Sequence, residues 1–514
     1  MKYTIKTFWC SMNTADSEKI HMLLRQAGLT PVIDSLDADI IIFNTCSVRQ
    51  KWEDRVLWIV NNIKKQSRKN WKEIIVWITW CMTRKTWLNE KFFEKTRPRK
   101  NAKKITFLTD KEWIFNNDDE LLLRVQDIDF TVRIEEIAHL TKILSIIFKQ
   151  DIWNDEWFES YLRIKQDKSN TALSNVIIQT WCDNYCTFCI VPYTRWSEKS
   201  RNIKDIIKEV KLEVQSWSKE ILLLWQNVNS YWKDFKNKSW DKESSKWSIE
   251  FQDINKTHPQ PFYPRASLSC IRNSSWPLQK GRTWLEDFKT PFRELLEELD
   301  NIDWLERIRF TSSNPHDMTP DILSAHFDLD KTCNYLHFAL QSWNNEILKK
   351  MNRKHSYLDF KKQVDYLRWK DELFSISTDI IVWFPGETEG QFQDTVKAMK
   401  ECEFDFAYIA RYSSRKWTFA TDKMWDTVSP EDKARRWGIL NEILYENIKK
   451  RASLMVWRIE EILITWAWKK SWLVWRTRNF KEVFIEDDKN IKVWDLVNVK
   501  ILELDRWVLK GVVV

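Results

Sequence analysis

Cys182, Cys186 and Cys189 carry the clearest chemistry in the sequence. They lie in the octapeptide Cys182-Asp183-Asn184-Tyr185-Cys186-Thr187-Phe188-Cys189, so three residues and then two separate consecutive thiols. Thiolates this close on one loop can ligate three irons of a [4Fe–4S] cluster and leave the fourth iron without a protein ligand. An open coordination position on a metal is where a substrate or cofactor binds. A structural zinc knuckle and three core thiols are the competing readings. Zinc sites usually pair one CxxC with a second pair and fill all four positions, and no fourth Cys or His lies close by. The spacing therefore favours iron and sulfur.

Such a loop needs strands to deliver it. Asn175-Val176-Ile177-Ile178-Gln179 reads as a strand leading into the cysteines. Residues 203–214 then read as a helix, 220–224 as a strand, 294–298 as helical, 307–310 and 335–340 as strands, 360–367 as a helix and 379–382 as a strand. Repeated β/α order over residues 171–447 suits a partial barrel with its chemistry at the C-terminal ends of the strands. Any single polar residue at such an end can equally be a turn or helix cap, which is the reading for Thr388.

Residues 1–118 also alternate, with strands at 3–8, 39–43 and 73–78 and helices at 16–26 and 55–65, which predicts an open parallel α/β domain. Each of these strands is followed closely by a cysteine: Cys10, Cys46 and Cys81. In an open parallel sheet those ends share one edge. Three thiols distant in sequence could meet there on a second cluster, and simple burial is an equal alternative on spacing alone. Residues 119–170 read as a connector, and 233–287 as a polar insertion in a surface loop. Short β-type runs separated by polar turns over 450–514 predict a small antiparallel barrel. Cys270, Cys333 and Cys402 match no ligand pattern and read as incidental thiols.

The chain of 514 residues has room for two to four domains. Nine cysteines are too few for a disulfide scaffold and their clustering points to a reducing compartment. No apolar run approaches membrane-spanning length and the N-terminus lacks a signal-like apolar segment, so a cytoplasmic protein without a membrane partner is expected. A net charge of +8 permits nucleic-acid binding without requiring it. The abnormal feature is 33 tryptophans against 6 glycines. Tryptophan stands where turns ask for glycine, as at Trp225, Trp383 and Trp494. A stop codon reassigned to glycine but read as tryptophan would give this pattern, and many of these tryptophans are expected to be glycine in the organism.

The cysteine loop, with Ile190-Val191-Pro192-Tyr193-Thr194-Arg195 after it, resembles the signature of S-adenosylmethionine radical enzymes. The motifs Phe8-Trp9-Cys10-Ser11-Met12-Asn13, Asn44-Thr45-Cys46-Ser47-Val48-Arg49 and Thr79-Trp80-Cys81-Met82 resemble those of its methylthiotransferase family, which has glycine where Trp9 and Trp80 stand. Further likeness lies in Leu224-Trp225-Gln226-Asn227-Val228-Asn229-Ser230-Tyr231, in Phe310-Thr311-Ser312-Ser313-Asn314-Pro315 (Asn314 replacing the usual His), in Gln341-Ser342-Trp343 and in Trp383-Phe384-Pro385-Gly386-Glu387-Thr388.

The resemblance implies a radical-enzyme cluster on Cys182, Cys186 and Cys189 and an auxiliary [4Fe–4S] cluster on Cys10, Cys46 and Cys81. It implies S-adenosylmethionine and base binding by Phe188, Gln226, Asn227, Ser312, Gln341, Ser342, Pro385, Gly386 and Glu387, with no catalytic residue beyond the clusters. Trp475-Arg476-Thr477-Arg478-Asn479-Phe480 and Trp494-Asp495 resemble a TRAM domain, implying RNA contact through Arg476, Arg478 and Lys481. The implied activity is methylthio transfer to C-2 of an isopentenylated adenosine beside the tRNA anticodon, by a monomer served by an electron-donor protein. Two alternatives are a sister enzyme acting on threonylcarbamoyl-adenosine or a ribosomal protein, and a non-catalytic iron–sulfur RNA-binding protein.

Overall fold

A computed structural model describes residues 1–8, 11–45, 50–80, 87–88, 106–107, 111–112, 125, 127–148, 161–164, 166, 172–180, 182–194, 198–231, 289–415, 418–425, 428–468, 472–486, 491–492 and 494–514. The insertion at 233–287 and the cysteines at 10, 46 and 81 lie outside the described residues. Two compact units result: residues 1–169 with 181–197 and 413–422, and residues 170–180 with 198–412 and 423–514.

The first unit is built on β1 (Lys2–Thr7), β2 (Thr30–Pro31), β3 (Ile40–Thr45), β4 (Ile75–Trp80) and β5 (Trp87–Leu88), a separate two-stranded pair β6 (Thr106–Phe107) and β7 (Lys111–Glu112), and β8 (Phe130–Val132). The sheet order is β2-β1-β3-β4-β8-β5, parallel except where β5 meets β8. β3 reads Ile-Ile-Ile-Phe-Asn-Thr and is buried throughout, as a strand covered on both faces must be. β8 departs from expectation. It lies in the stretch read as a connector, yet it pairs with β4 inside the sheet. Three residues gave too little periodicity to signal a strand.

The second unit carries β9 (Leu173–Ile177), β10 (Gln179–Thr180), β11 (Lys199–Ser200), β12 (Glu220–Leu224), β13 (Arg307–Phe310), β14 (Tyr335–His337), β15 (Ser375–Val382) and β16 (Phe406–Arg411). β9-β12-β13 and β14-β15-β16 are parallel sheets, joined by parallel bridges at Ile308 with Thr332 and Ser313 with Phe338. Six parallel strands in chain order thus form the expected partial barrel. Most of its helices start on side-chain caps, the helix at Pro320–Asp328 being an exception. Thr388 is one of them: its side chain accepts from Gln391 N at 3.3 Å.

The last strands, β17 (Ile459–Trp468), β18 (Trp472–Thr477), β19 (Glu482–Glu486), β20 (Leu496–Asp505) and β21 (Val508–Val513), close a barrel in the order β17-β18-β19-β21-β20. The barrel is not wholly antiparallel, because β19 and β21 run parallel. Gly511 permits close strand contact, since a Cβ there would stand 2.5 Å from Val499 Cγ1.

Backbone angles bear directly on the tryptophans. Among the described residues, six of the thirteen non-glycine residues with positive φ are Trp71, Trp217, Trp304, Trp383, Trp457 and Trp494. The helix at Ser11–Gln26 ends on Gly28 at φ 78, with Leu29 N donating to Leu24 O and Gly28 N to Arg25 O, a glycine-terminated cap. The helix at Ile203–Gln215 ends identically, with Ser218 N to Glu213 O and Trp217 N to Val214 O, but the left-handed position is tryptophan. Trp71 ends the helix at Gln50–Lys69 in the same manner, with Lys72 N donating to Ser67 O. The indole N–H groups of Trp225, Trp343, Trp383 and Trp494 are buried without an acceptor, which is unusual for tryptophan.

Candidate active site

The cysteine loop follows β10 in the chain. Cys182, Cys186 and Cys189 are all half-buried, as is Phe188. A turn closed by Cys189 N on Cys186 O at 2.9 Å shapes the loop, and Ala420 N donates to Thr187 O at 2.9 Å. Tyr185 has φ 47. Cys333 and Cys402 make the contrast: both are buried, and burial pushes their thiols up, Cys402 to about 12. Those two are suited to packing, while the loop thiols are accessible to a metal. Among the described residues no three Cys, His, Asp or Glu side chains are drawn together into an ion site, so the loop supplies three donors without gathering them. The donor set and accessibility fit a cluster with one open iron.

The strands that precede Cys10, Cys46 and Cys81 are neighbours. Thr7 is level with Asn44, and Asn44 with Thr79, so the three strands end in line. Asn44, from the second cysteine motif, holds this edge: its Nδ2 donates to Asn13 O at 2.8 Å and to Ser17 Oγ at 2.9 Å. Asn13 Nδ2 donates in turn to Phe8 O at 2.6 Å.

In the second unit the expected ligand residues cluster just past the strands. Asn227 follows β12, Ser312 and Asn314 follow β13, and Gln341 and Ser342 follow β14. Asn229 ties the first two loops together: its Nδ2 donates to Asn314 O and its Oδ1 accepts from Asn314 N, each at 2.9 Å. Ser312 and Gln341 have φ of 64 and 76, so the backbone turns sharply as it leaves each strand. Gln341 spends its backbone on β15, donating to Asp379 O and accepting from Ile381 N. Gln226 is half-buried and Pro385 is buried.

The loop after β15 is held from inside. Glu387 accepts from Trp383 N at 2.9 Å and from Arg436 Nη1 at 3.2 Å. Burial raises its carboxyl to about 7 against these bonds. Glu387 therefore shapes the loop, and exposed Gly386 supplies the left-handed turn at φ 79.

These ends leave polar atoms over. Gln179 Oε1 and Nε2, Asn227 Oδ1, Ser313 Oγ, Asn314 Oδ1 and Ser342 Oγ are buried and have no hydrogen-bond partner. Native interiors rarely leave such groups unmatched, so a polar ligand or water belongs among them. A nucleoside-like molecule such as S-adenosylmethionine fits that demand.

The N-terminal ends of the same strands are filled. Glu220 on β12 is fully buried beside Arg309, with Oε1 accepting from Nε at 2.7 Å. Arg309 Nη1 and Nη2 donate to Arg478 O at 2.6 Å and Thr477 O at 2.7 Å. Arg307 Nη1 donates to Arg476 O at 2.7 Å, and its Nη2 to Glu461 O at 2.9 Å. Burial alone would raise the Glu220 carboxyl, but Arg309 and Arg307 outweigh it and hold it below the usual range. Phe480 stacks on Tyr335 with centroids 4.4 Å apart.

This contact takes up the basic residues expected on RNA. Arg478 donates to Asp330 O, and to Thr332 O at 3.3 Å. Lys481 pairs with buried Asp405 at 2.7 Å. Arg476 lies 4.5 Å over the Phe480 ring and keeps 28% of its side chain exposed.

Comparison with known proteins follows the same division. Residues 176–399 match the Radical SAM superfamily and residues 2–99 match Uncharacterized protein family UPF0004. The tRNA-2-methylthio-N(6)-dimethylallyladenosine synthase of Thermoanaerobacter sp. (strain X514) is 33% identical over 514 residues, covering 99% of this chain and 92% of that one. The chain belongs to this synthase family. Another member, from Clostridium botulinum (strain Okra / Type B1), is 32% identical over 99% of this chain and 96% of its own. Among solved structures, the radical S-adenosylmethionine methyltransferase TsrM of Kitasatospora setae, with cobalamin and a [4Fe-4S] cluster bound, aligns at a TM-score of 0.47 and 10% identity, over 82% of this chain and 76% of that one. As a synthase-family member the chain is a radical S-adenosylmethionine enzyme. No described helix is long and apolar enough to cross a membrane.

Asn229, Asn314 and Asp317 were not singled out as ligand-site residues from sequence. A carboxamide and a carboxylate three apart after a strand was the available signal.

Proposed function

We propose that this enzyme adds a methylthio group to C-2 of N(6)-isopentenyl-adenosine beside the anticodon of tRNA. The observation that carries the reading is the full-length 33% identity to a named synthase, together with three accessible thiols on one loop. Cys182, Cys186 and Cys189 would hold a [4Fe–4S] cluster, which, once reduced by an external electron donor, would supply the electron for reductive cleavage of S-adenosylmethionine. Cys10, Cys46 and Cys81 would hold the auxiliary cluster, a reading supported by the aligned ends of β1, β3 and β4. An aromatic C–H lacks an acidic proton, so a radical route suits C-2 where acid–base groups do not.

The chain's own residues bind and orient. Asn227, Asn314 and Ser342 present polar atoms to a ligand, Asn229 locks two loops, and Glu387 with Arg436 holds a third. Burial at these positions keeps bulk solvent away from them. All three basic residues have partners within the chain, and an RNA-facing role of the small barrel would fall to Arg476, which keeps 28% of its side chain exposed while pairing with Glu482 at 3.6 Å.

Nucleoside analysis tests this reading. Expression in a bacterium lacking its own methylthiotransferase should restore 2-methylthio-N(6)-isopentenyl-adenosine to its tRNA. Restoration of a methylthiolated threonylcarbamoyl-adenosine in its place would favour the sister activity, and restoration of neither would contradict the reading.

A further inference from the structure

Asn227 and Asn314 share one feature that neither loop explains alone. Asn227 Nδ2 donates to Asp317 Oδ2 at 2.7 Å, and Asn314 Nδ2 donates to the same oxygen at 3.0 Å. A carboxylate oxygen only accepts, so each asparagine must turn its amino group toward it. That choice fixes both amide orientations and sends both Oδ1 atoms away from Asp317. The two side chains are almost wholly enclosed, at 2% and 7% exposed, and both Oδ1 atoms are without a donor. The backbone of Asn314 is fixed independently through Asn229, and the carbonyl of Asn227 accepts from Ser230 Oγ at 2.8 Å.

We propose that Asp317 is a positioning residue that sets Asn227 and Asn314 as a pair of hydrogen-bond acceptors for a donor-rich ligand group, of the O–H or N–H kind. Sugar hydroxyls, an ammonium and an exocyclic amine satisfy this pair, whereas carboxylate and phosphate oxygens are rejected by it. The inference rests on the proposed function for its two candidate sources, S-adenosylmethionine and the modified nucleoside. Freed from Asp317, each amide can rotate and offer its amino group, so the damage at 317 passes through the asparagines.

The test is equilibrium binding by calorimetry to the cluster-loaded full chain, with S-adenosylmethionine in one arm and an isopentenylated anticodon stem-loop in the other. Asp317→Ala should weaken one of the two about ten-fold or more, the loss of a buried hydrogen bond. Asp317→Asn should restore most of it, because an amide oxygen can still accept both bonds. Asn314→Ala deletes an acceptor directly and should show the same ligand-selective loss, which keeps the test intact if Asp317→Ala does not fold. Weakening only in the first arm assigns the donor to S-adenosylmethionine, and only in the second to the nucleoside. Unchanged affinity in both arms for the folded variants, or an Asp317→Asn variant no better than Asp317→Ala, overturns the proposal. Binding that responds as expected in a protein that never modifies tRNA would contradict the proposed function alone.

Discussion

The two ends of the central parallel strands differ in how their polar groups are met. At the N-terminal ends, Glu220, Arg307 and Arg309 carry full charges in a dry interior, and most of their side-chain hydrogen-bonding atoms find a partner in the neighbouring strands or in carbonyls of the small barrel, Arg307 Nε and Glu220 Oε2 being the exceptions. At the C-terminal ends the unmatched groups are neutral amides and hydroxyls, while the carboxylates of Asp317 and Glu387 are hydrogen-bonded. The costlier groups are thus the better satisfied. An end that ties up most of its polar atoms within the chain has little to offer a ligand. The end that does not is the one where binding releases the cost of an orphaned atom.

Substitution should separate the two ends. Glu220→Ala leaves the buried Arg309 guanidinium without its carboxylate and Arg307 with Glu461 alone, and should cost about 3–5 kcal/mol in chemical denaturation. S-adenosylmethionine affinity of the folded fraction should be unchanged, and a loss of affinity at full stability would break the comparison. The same carboxylate makes stability acid-sensitive. Its folded value lies below the ordinary 4.5, so its contribution is complete above that pH and is lost as pH falls through the lowered folded value. The variant should lack this component of the acid unfolding curve.

A smaller effect is expected at Lys481, whose ammonium pairs with Asp405 alongside Arg451 and Arg368. Lys481→Ala should lower stability by about 1–3 kcal/mol, since Asp405 is buried and loses one of three cations. Weaker tRNA binding with an unchanged melting temperature would return Lys481 to the RNA surface. The smallest change is a gain. Trp71 and Trp217 are exposed residues in left-handed caps. Replacing either with glycine should stabilise by about 1 kcal/mol in thermal melts, because only glycine takes that conformation without strain. A loss would contradict the view that glycine is the residue these turns require.

The cysteine spacing and the β/α alternation made the architecture legible, because both are local patterns. Thr388 was readable as a cap for the same reason. Long-range pairings were not. Nothing in Arg478 or Lys481 distinguishes a cation aimed at RNA from one aimed at Asp330 or Asp405, residues at least seventy-six positions away. β8 was too short for its pattern to register, and the parallel meeting of β19 and β21 depends on barrel closure. Asp317 escaped notice because its role exists only where two loops meet.

The most direct test of the account is anaerobic reconstitution with iron and sulfide, followed by incubation with S-adenosylmethionine, a strong reductant and isopentenylated tRNA. Mass spectrometry should find 5′-deoxyadenosine and a methylthio group on the tRNA, and Cys182→Ala should abolish both while the protein remains folded. Methylthiolated tRNA made equally well by the Cys182→Ala protein would contradict the claim that this loop holds the reactive centre.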